Sequence, residues 1–545
     1  MTAAVVDQRT YARRWWTLGT LCLCITVIGV DNTILNVALP SIVRDLGATG
    51  SQLQLIVDGY TVVFAGLLLT GGSLGDRYGR RHALMAGLGW FGLFSVAASR
   101  AASPTELIMA RAAMGIGGAF IFPTTLSVLT NTFSDPAERA TAIGIWAGVS
   151  GIGIALGPLA GGLLVERFGW ASVFLVNVPV CGTALVLTWL FVPNSSHRAE
   201  SPLDPVGAVL SIVGLMSLLY GVIEGPDQGW VTGRVALPLV GGMALLVAFA
   251  WWEWRNPRPM LDVRFFTNPR FSAASATITL AFFGLYASTF LMTQYFQFIL
   301  GYSPLRAGVM IVPNALGMMI AGPLSPRLVR HLGTKRVVVV GLGLLAAAMG
   351  LFGSNTVMSQ QVLSLGARFL LGFGIGLTTP PVTESIMGSL PPSRAGVGSA
   401  VNDTTRQTGG AVGVAVIGSV FAARYHAAIG SLGFLAPASR ASARESIGTS
   451  LDVASRLGAP ERARLVHLAH LAYLDSMRLT YALSVAIVGL AALVAYRWLP
   501  ATAPTHVGEP GRPTPTGAPD RPGVDGPATT GMLAGATSDL GPAAD

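Results

Sequence analysis

Long apolar segments separated by short polar connections run through most of this sequence. Fourteen of them approach or exceed the 20 or so apolar residues that a helix needs to cross a bilayer. These segments span 15–40, 53–74, 83–100, 106–130, 138–164, 170–191, 204–224, 233–254, 269–298, 306–328, 335–353, 358–380, 399–422 and 477–499. The pattern therefore predicts an all-α integral membrane protein with fourteen transmembrane helices.

The composition agrees with this prediction and excludes an ordinary soluble enzyme. Of 545 residues, 52% are hydrophobic and only 11% are charged, whereas soluble domains carry about 25% charged residues. The net charge of +9 does not indicate nucleic-acid binding, because the arginines lie in short clusters between apolar segments. Lys335 is the only lysine, which is typical of a high-GC bacterial genome, so we expect a bacterial cytoplasmic membrane protein.

The basic residues also predict the orientation of the chain, because short cytoplasmic connections are rich in arginine and lysine. The N-terminus and the connections after segments 2, 8 and 10 hold most of them: Arg9, Arg13, Arg14, Arg77, Arg80, Arg81, Arg255, Arg258, Arg264, Arg270, Arg327, Arg330, Lys335 and Arg336. The short connections after odd-numbered segments, which lie on the opposite side of the membrane, hold few basic residues: Arg44, Arg100, Arg167 and Arg234. We therefore predict that both termini are cytoplasmic.

Five regions follow from this topology. They are a cytoplasmic N-terminus (1–14), a first six-helix bundle (15–191), two central linker helices (204–254), a second six-helix bundle (269–499) and a tail (501–545). Within the second bundle, 423–476 is predicted as an extracellular loop, whose end looks amphipathic and suits the membrane surface. It contains His467 and His470, but two histidines without a third ligand do not predict a metal site. The tail is rich in Pro, Gly, Thr and Ala, which predicts cytoplasmic disorder.

An internal repeat relates the two predicted bundles. Ala110-Arg111-x3-Gly115-x-Gly117 in segment 4 recurs as Ala367-Arg368-x3-Gly372-x-Gly374 in segment 12. Gly72-x-Leu74-x2-Arg77 at the end of segment 2 recurs as Gly322-x-Leu324-x2-Arg327 at the end of segment 10. Repeated six-helix bundles build one large class of secondary transporters, in which the substrate site lies between the halves near the midplane.

Residues 72–81 (GSLGDRYGRR) closely match the signature loop of the major facilitator superfamily, and residues 31–40 (DNTILNVALP) resemble the first-helix motif of its fourteen-helix drug:proton antiporters. The fifth segment fits the antiporter motif of the superfamily at Gly144, Gly153, Gly157, Pro158 and Gly161. The resemblance covers 15–499, with local departures at Leu55, where Trp is usual, and Ala171, where Arg is common.

This resemblance implies export of lipophilic drugs or antibiotics by alternating access, driven by inward proton flow. The implied partners are a small lipophilic substrate, cationic or polycyclic among the options, together with protons and membrane lipid. The proton gradient supplies the energy and no cofactor or metal is implied. We also expect a monomer without nucleic-acid partners.

Three charged residues within the segments are predicted to couple protons. A charged Asp at a helix centre costs about 2.5–3.5 kcal/mol on insertion scales, so Asp31, near mid-bilayer, is a functional candidate. It would carry protons, or alternate between a proton and a cationic drug; a structural hydrogen bond to another helix is the alternative. The resemblance implies that Arg111 takes part in proton transfer. Asp58 in segment 2 is placed in the same group. Arg368, which is the repeat counterpart of Arg111, is ranked below Arg111.

Four further ionisable residues are assigned to the substrate pathway. Glu384 and Asp403 flank a predicted cytoplasmic turn and could attract a cationic substrate to the inner mouth. Asp403 and Arg406 are three residues apart and could instead pair with each other. Glu224, at the outer end of segment 7, could simply lie at the membrane interface. Aromatic residues cluster in segment 9 and favour either a drug pocket or packing: Phe282, Phe283, Tyr286, Phe290, Tyr295, Phe296 and Phe298.

The signature loop is predicted to act as a gate, and its residues are Gly72, Asp76, Arg77, Gly79 and Arg80. Gly79 permits a tight turn, and Asp76 can pair with an arginine or lie at a helix N-terminus. Such a contact must break when the halves rock, although a merely topogenic basic loop is the alternative.

The antiporter motif is predicted to pack helices closely. Gly153, Gly157 and Gly161 recur every four residues and form one smooth face, while Pro158 removes a backbone hydrogen bond and favours a kink. The functional interpretation is that this packing seals the outer pathway, and simple helix packing is the alternative.

Other functions are less well supported. A proton-coupled uptake carrier on the same scaffold remains the alternative to efflux. A channel or an intramembrane enzyme is disfavoured because the sequence has no HExxH, no GxSxG with partners and no filter-like repeat. The lack of GxxxxGK[ST] argues against an ATP-driven pump in this chain.

Overall fold

The computed structural model describes residues 8–48, 50–195, 204–257, 259–354, 361–430 and 432–501. Within these ranges all the long elements are helices. The first half contains α1 (Gln8–Leu46), α2 (Gly50–Tyr78), α3 (Arg80–Ser99), α4 (Pro104–Thr132), α5 (Pro136–Phe168), α6 (Ser172–Leu175), α7 (Asn177–Phe191), α8 (Pro205–Gln228) and α9 (Gly233–Arg255). The second half contains α10 (Pro269–Gln294), α11 (Pro304–Val309), α12 (Val312–Leu332), α13 (Thr334–Gly353), α14 (Gln361–Met387), α15 (Ala395–Ala428), α16 (Pro437–Glu445), α17 (Ile447–Ser455) and α18 (Ala459–Trp498).

Many of these helices begin at a capping residue followed by proline. Ser103, Asp135, Asp204, Asn268 and Ser303 each accept a hydrogen bond from a backbone N–H of the first turn, and proline follows each of them. The side-chain oxygen satisfies an otherwise unpaired donor, and proline is tolerated where no intrahelical N–H bond is lost. The connections between apolar segments therefore define where the helices start.

Thirteen helices in the described residues are long and apolar enough to cross a membrane. The remaining long helix, α14, contains Arg368 and two prolines and packs against both α12 and α13. The predicted all-α membrane class is confirmed, and the chain is a multi-pass membrane protein.

The long helices pack as two groups with a helix pair between them. Helices α1–α5 and α7 contact one another, as do α10, α12–α15 and α18. Helix α8 packs against α9, and also against α2 and α15. The two groups, called the first and second bundles below, meet where α2 crosses α15 and where α5 crosses α12.

The structure differs from the prediction that 423–476 is a loop. Helix α15 continues to Ala428, α16 and α17 follow, and α18 begins at Ala459, so its first turns replace the predicted surface segment. The face formed by Leu465, Ala469 and Tyr473 is buried, and the Tyr473 hydroxyl donates to the Leu291 carbonyl over 2.7 Å. The apolar face of this segment therefore packs on protein. The predicted tail 501–545 lies almost wholly outside the described residues.

Candidate functional site

A buried ion pair joins α1 and α4 inside the first bundle. Asp31 Oδ2 accepts a hydrogen bond from Arg111 Nη1 over 2.5 Å. Asp31 Oδ1 accepts from Asn177 Nδ2 over 2.9 Å. All three residues are buried. Asp31 and Arg111, both predicted from the sequence, are thus in direct contact. Asp31 also has the hydrogen bond to another helix that was named as its structural alternative.

The Arg111 side chain extends this site towards α2. Its Nε donates to the Ile56 carbonyl over 3.3 Å, and its guanidinium lies 4.4 Å from the centre of the Tyr60 ring. Such cation–π contacts stabilise a buried cation. Since Tyr60 also lines the cavity described next, the ion pair lies one side chain away from that cavity.

A cavity of about 330 Å³ lies between the two bundles and is called the central cavity. Its walls come from α1, α2, α4 and α5 on one side and from α10, α12, α14 and α15 on the other. Its aromatic residues are Tyr60, Phe64, Phe122, Phe282 and Tyr286. Its polar residues include Asn32, Thr33, Thr61, Ser150, Asp403, Arg406 and Gln407. This mixture suits a lipophilic ligand with a few polar groups.

Asp403 and Arg406 lie at this cavity but do not form the ion pair named as the alternative. Asp403 Oδ1 accepts from Asn402 Nδ2 over 3.0 Å, while Oδ2 has no hydrogen-bond partner in the described part of the chain. Arg406 Nη2 donates to Thr383 Oγ1 over 3.1 Å, and its guanidinium lies 5.1 Å from the Phe282 ring. Asp403 therefore places an acidic residue at the wall of the cavity, with its Oδ2 buried.

The acidic residue of the signature loop joins the two bundles. Asp76 pairs with Arg80 over 2.6 Å, and both side chains are fully buried. The same carboxylate accepts hydrogen bonds from the backbone N–H groups of Gly396 (2.8 Å) and Val397 (3.3 Å) in the first turn of α15. A carboxylate at a helix N-terminus is favoured by the unpaired N–H groups and the helix dipole. These contacts are called the Asp76 latch.

Glycines allow the backbones to approach at this latch. A Cβ at Gly72 would collide with the Gly396 carbonyl and lie 2.9 Å from the Ala400 Cβ. Gly79 has φ +110° and forms the one-residue turn between α2 and α3, a conformation that other residues rarely adopt. Arg77 lies nearby with its guanidinium 5.7 Å from the Tyr78 ring.

A second ion pair crosses between the bundles at the same end. Arg139 at the start of α5 donates to Glu384 at the end of α14, with a shortest distance of 2.6 Å. Glu384 was predicted to attract substrate to an inner mouth, but here Arg139 occupies its carboxylate. Together with the Asp76 latch, this pair closes the end of the molecule that the sequence predicts to be cytoplasmic.

The glycine motif of α5 packs in two directions. Cβ atoms at Gly153, Gly157 and Gly161 would press against α1, around Gly29, Thr33 and Ile34. A Cβ at Gly144 would instead collide with the Gly322 carbonyl of α12 in the second bundle. Pro158, near the opposite end of α5, lies against Gly308 of α11. The motif thus contributes both to the first bundle and to the interface between bundles.

The remaining candidates lie apart from the Asp31–Arg111 pair. Asp58 lines a second cavity, which also touches α8. Glu224 is buried on α8 and accepts a hydrogen bond from Gln228. Of the aromatic cluster predicted in segment 9, Phe282 and Tyr286 line the central cavity, whereas Phe283, Tyr295 and Phe296 are buried in the second bundle.

Three residues of this candidate site were missed by the sequence analysis. Asn177 was detectable as a polar residue in an apolar segment, although a lone asparagine is a weak signal. Arg139 looked like one of many basic residues beside the membrane, and its partner is 245 positions away. Tyr60 was missed because a tyrosine in an apolar helix is ordinary packing.

Comparisons with known proteins agree with this geometry. The profile of the Major Facilitator Superfamily matches residues 21–414. The multidrug efflux pump LfrA of Mycolicibacterium smegmatis is 34% identical over 89% of this chain and 96% of its own length. The methyl viologen resistance protein SmvA of Salmonella typhimurium is 33% identical over 85% of this chain and 94% of its own.

A solved structure supports the fold independently. The human organic anion transporter MFSD10 superposes with a TM-score of 0.57 and 14% identity, covering 90% of this chain and 99% of the other. At that identity the likeness concerns the fold alone. The profile match and the similar relatives show that this chain belongs to the major facilitator superfamily.

Proposed function

We propose that this chain exports lipophilic drugs or antibiotics from the bacterial cytoplasm in exchange for protons. The observation that carries the proposal is the contact chain from Asp31 through Arg111 to Tyr60, which links a buried carboxylate to the wall of the central cavity. Relatives described as drug efflux and resistance proteins support the choice of substrate.

The coupling rests on competition for one carboxylate. A proton and the Arg111 guanidinium compete for Asp31 Oδ2, so protonation breaks the ion pair between α1 and α4. Asn32 and Thr33, the next residues of α1, line the central cavity. A shift of α1 on protonation therefore changes the cavity and can expel a bound substrate.

The alternating step is the opening of the predicted cytoplasmic end. In the described conformation, the Asp76 latch and the Arg139–Glu384 pair hold this end closed. Opening must break both, and the cost is offset by substrate binding or proton release. Both termini lie on this cytoplasmic side, as the arginine distribution predicts.

The central cavity favours a substrate that is aromatic or alkyl over most of its surface. The acidic residue in its wall, Asp403, suits a cationic group or a hydrogen-bond donor. Arg406 stacks against aromatic rings nearby, which limits the attraction for a cation.

The test is accumulation of ethidium in a drug-sensitive bacterium that expresses the chain. We expect lower ethidium accumulation than in cells with an empty vector, and a protonophore should restore it. Unchanged accumulation would contradict drug efflux, and efflux that a protonophore does not affect would contradict proton coupling. Higher accumulation in expressing cells would indicate uptake instead.

A further inference from the structure

A second cavity, of about 360 Å³, lies beneath α8 and is called the α8 cavity. It is bounded by Asp58 on α2, Ile223 on α8, Phe290 on α10 and Gly418 on α15. Helix α8 belongs to the helix pair between the bundles, so this cavity has a wall that two six-helix bundles alone would not supply.

The α8 cavity adjoins the central cavity. Thr61, Tyr286 and Gln407 line both, so these three side chains form the boundary between them. The Tyr286 ring lies against Gly410, where an added Cβ would collide with the ring. Because Gly410 has no side chain, the Tyr286 ring can occupy this position at the boundary.

Helix α8 is held firmly enough to act as a wall. A Cβ at Gly66 would lie 2.6 Å from the Met216 Cγ of α8, so α2 and α8 approach closely there. In the turn after α8, Trp230 Nε1 donates to Ser419 Oγ of α15 over 3.0 Å. These contacts attach α8 to both bundles on either side of the cavity.

We propose that the α8 cavity is a second substrate-binding subsite, which holds the distal part of extended lipophilic compounds whose other part occupies the central cavity. This inference rests on the proposed function. Sites for drug-sized ligands have volumes of about 300–1,000 Å³, so the central cavity alone, at about 330 Å³, suits compact compounds. Phe290 and Tyr286 offer ring faces to an aromatic or alkyl portion, and Asp58 and Gln407 offer polar contacts.

The test compares two fluorescent substrates in cells expressing the full chain. Ethidium is a compact planar cation, and a bisbenzimidazole dye is an extended one. Ile223→Trp and Gly418→Leu would fill the α8 cavity from opposite walls, and an added Cβ at Gly418 meets only Phe290, at 3.7 Å. Val213→Trp, at an exposed position of α8, and Gly343→Leu, where a Cβ meets nothing within 4 Å, are matched controls.

We expect both filling variants to slow bisbenzimidazole efflux about tenfold while ethidium efflux stays within about twofold of wild type. Both controls should export both dyes normally, at membrane levels checked by immunoblot. If Ile223→Trp does not reach the membrane, Gly418→Leu carries the test. Equal loss of both dyes, or no loss of either, overturns the subsite. Export of neither dye by the wild type would overturn the proposed function itself.

Discussion

Two buried arginines at repeat-related positions have different surroundings. In the first bundle, Arg111 pairs with Asp31 and contacts Tyr60. In the second, Arg368 is equally buried, but its three guanidinium nitrogens have no hydrogen-bond partner among the described residues. Its guanidinium lies 4.9 Å from the Phe296 ring.

The difference follows from one position. The offset of 257 residues that relates Arg111 to Arg368 takes Asp31 to Ser288, which cannot provide a negative charge. The Ser288 carbonyl instead accepts a hydrogen bond from the Tyr481 hydroxyl over 3.1 Å. The two bundles share a helix framework, but among the described residues the buried Arg368 lacks the acidic partner that Arg111 has in Asp31.

The signature loops show the same asymmetry. The offset of 250 residues that relates Gly72 to Gly322 takes Asp76 to Pro326, so the equivalent position in the second bundle carries no carboxylate. At its crossing, Gly144 meets Gly322, and the Arg139–Glu384 pair closes the end. The comparison predicts that the carboxylate that exchanges protons, Asp31, and the carboxylate that forms the stronger contact between the bundles, Asp76, both lie in the first bundle.

The largest effect is expected from Asp31→Asn. An amide keeps the size and a hydrogen-bond acceptor but cannot exchange a proton, so efflux of ethidium should fall to background with normal insertion in the membrane. Asp31→Glu retains the carboxyl group and should keep part of the activity. If Asp31→Asn exports ethidium at the wild-type rate, this residue has no part in the mechanism, and the proposed difference between the two bundles is contradicted.

The next effect is expected from Asp76→Asn. The amide loses the charge that faces the N-terminus of α15 and leaves Arg80 buried without its counterion, which costs about 3–5 kcal/mol for a buried pair. We expect the latch to weaken and efflux to fall about tenfold, equivalent to about 1.4 kcal/mol. Adding Arg80→Gln to Asp76→Asn should recover protein stability more than transport. Full activity of Asp76→Asn would show that the latch does not gate.

A smaller effect is expected from Glu384→Gln. Arg139 and Glu384 are somewhat more exposed than Asp76 and Arg80, so the loss of their pair should cost less than the loss of the Asp76–Arg80 pair and slow efflux several-fold. The exchanged pair, Arg139→Glu with Glu384→Arg, should restore transport relative to either single reversal. If the exchange is no better than the single reversals, the residues act separately and not as a latch.

The smallest effect is expected from Arg368→Met. Replacing a buried, unpaired cation by an apolar side chain is expected to be neutral or stabilising, by about 1–4 kcal/mol on the precedent of buried ion pairs. Efflux should remain within about twofold of wild type, and the thermal unfolding temperature of the purified protein should not fall. Loss of efflux would place Arg368 in the mechanism and contradict the comparison.

The sequence predicted those features that depend on local pattern. Fourteen apolar segments indicated the helices, and Asp31 and Arg111 were recognised because a charge inside such a segment is costly. Contacts between distant segments were not predictable. The pairing of Arg139 with Glu384, the placement of Asp76 on the N-terminus of α15, and the cavity beneath α8 all depend on how helices pack. The apolar face of the first turns of α18 was visible, but its partner was not.

The most direct test of the account follows protons rather than drug. Purified protein is reconstituted into liposomes that enclose a pH-sensitive dye, and ethidium is added outside. The account predicts that wild-type protein moves protons in the direction opposite to ethidium, and that Asp31→Asn at equal incorporation moves none. Proton movement in Asp31→Asn equal to that of wild type would contradict the assignment of proton exchange to the Asp31–Arg111 pair.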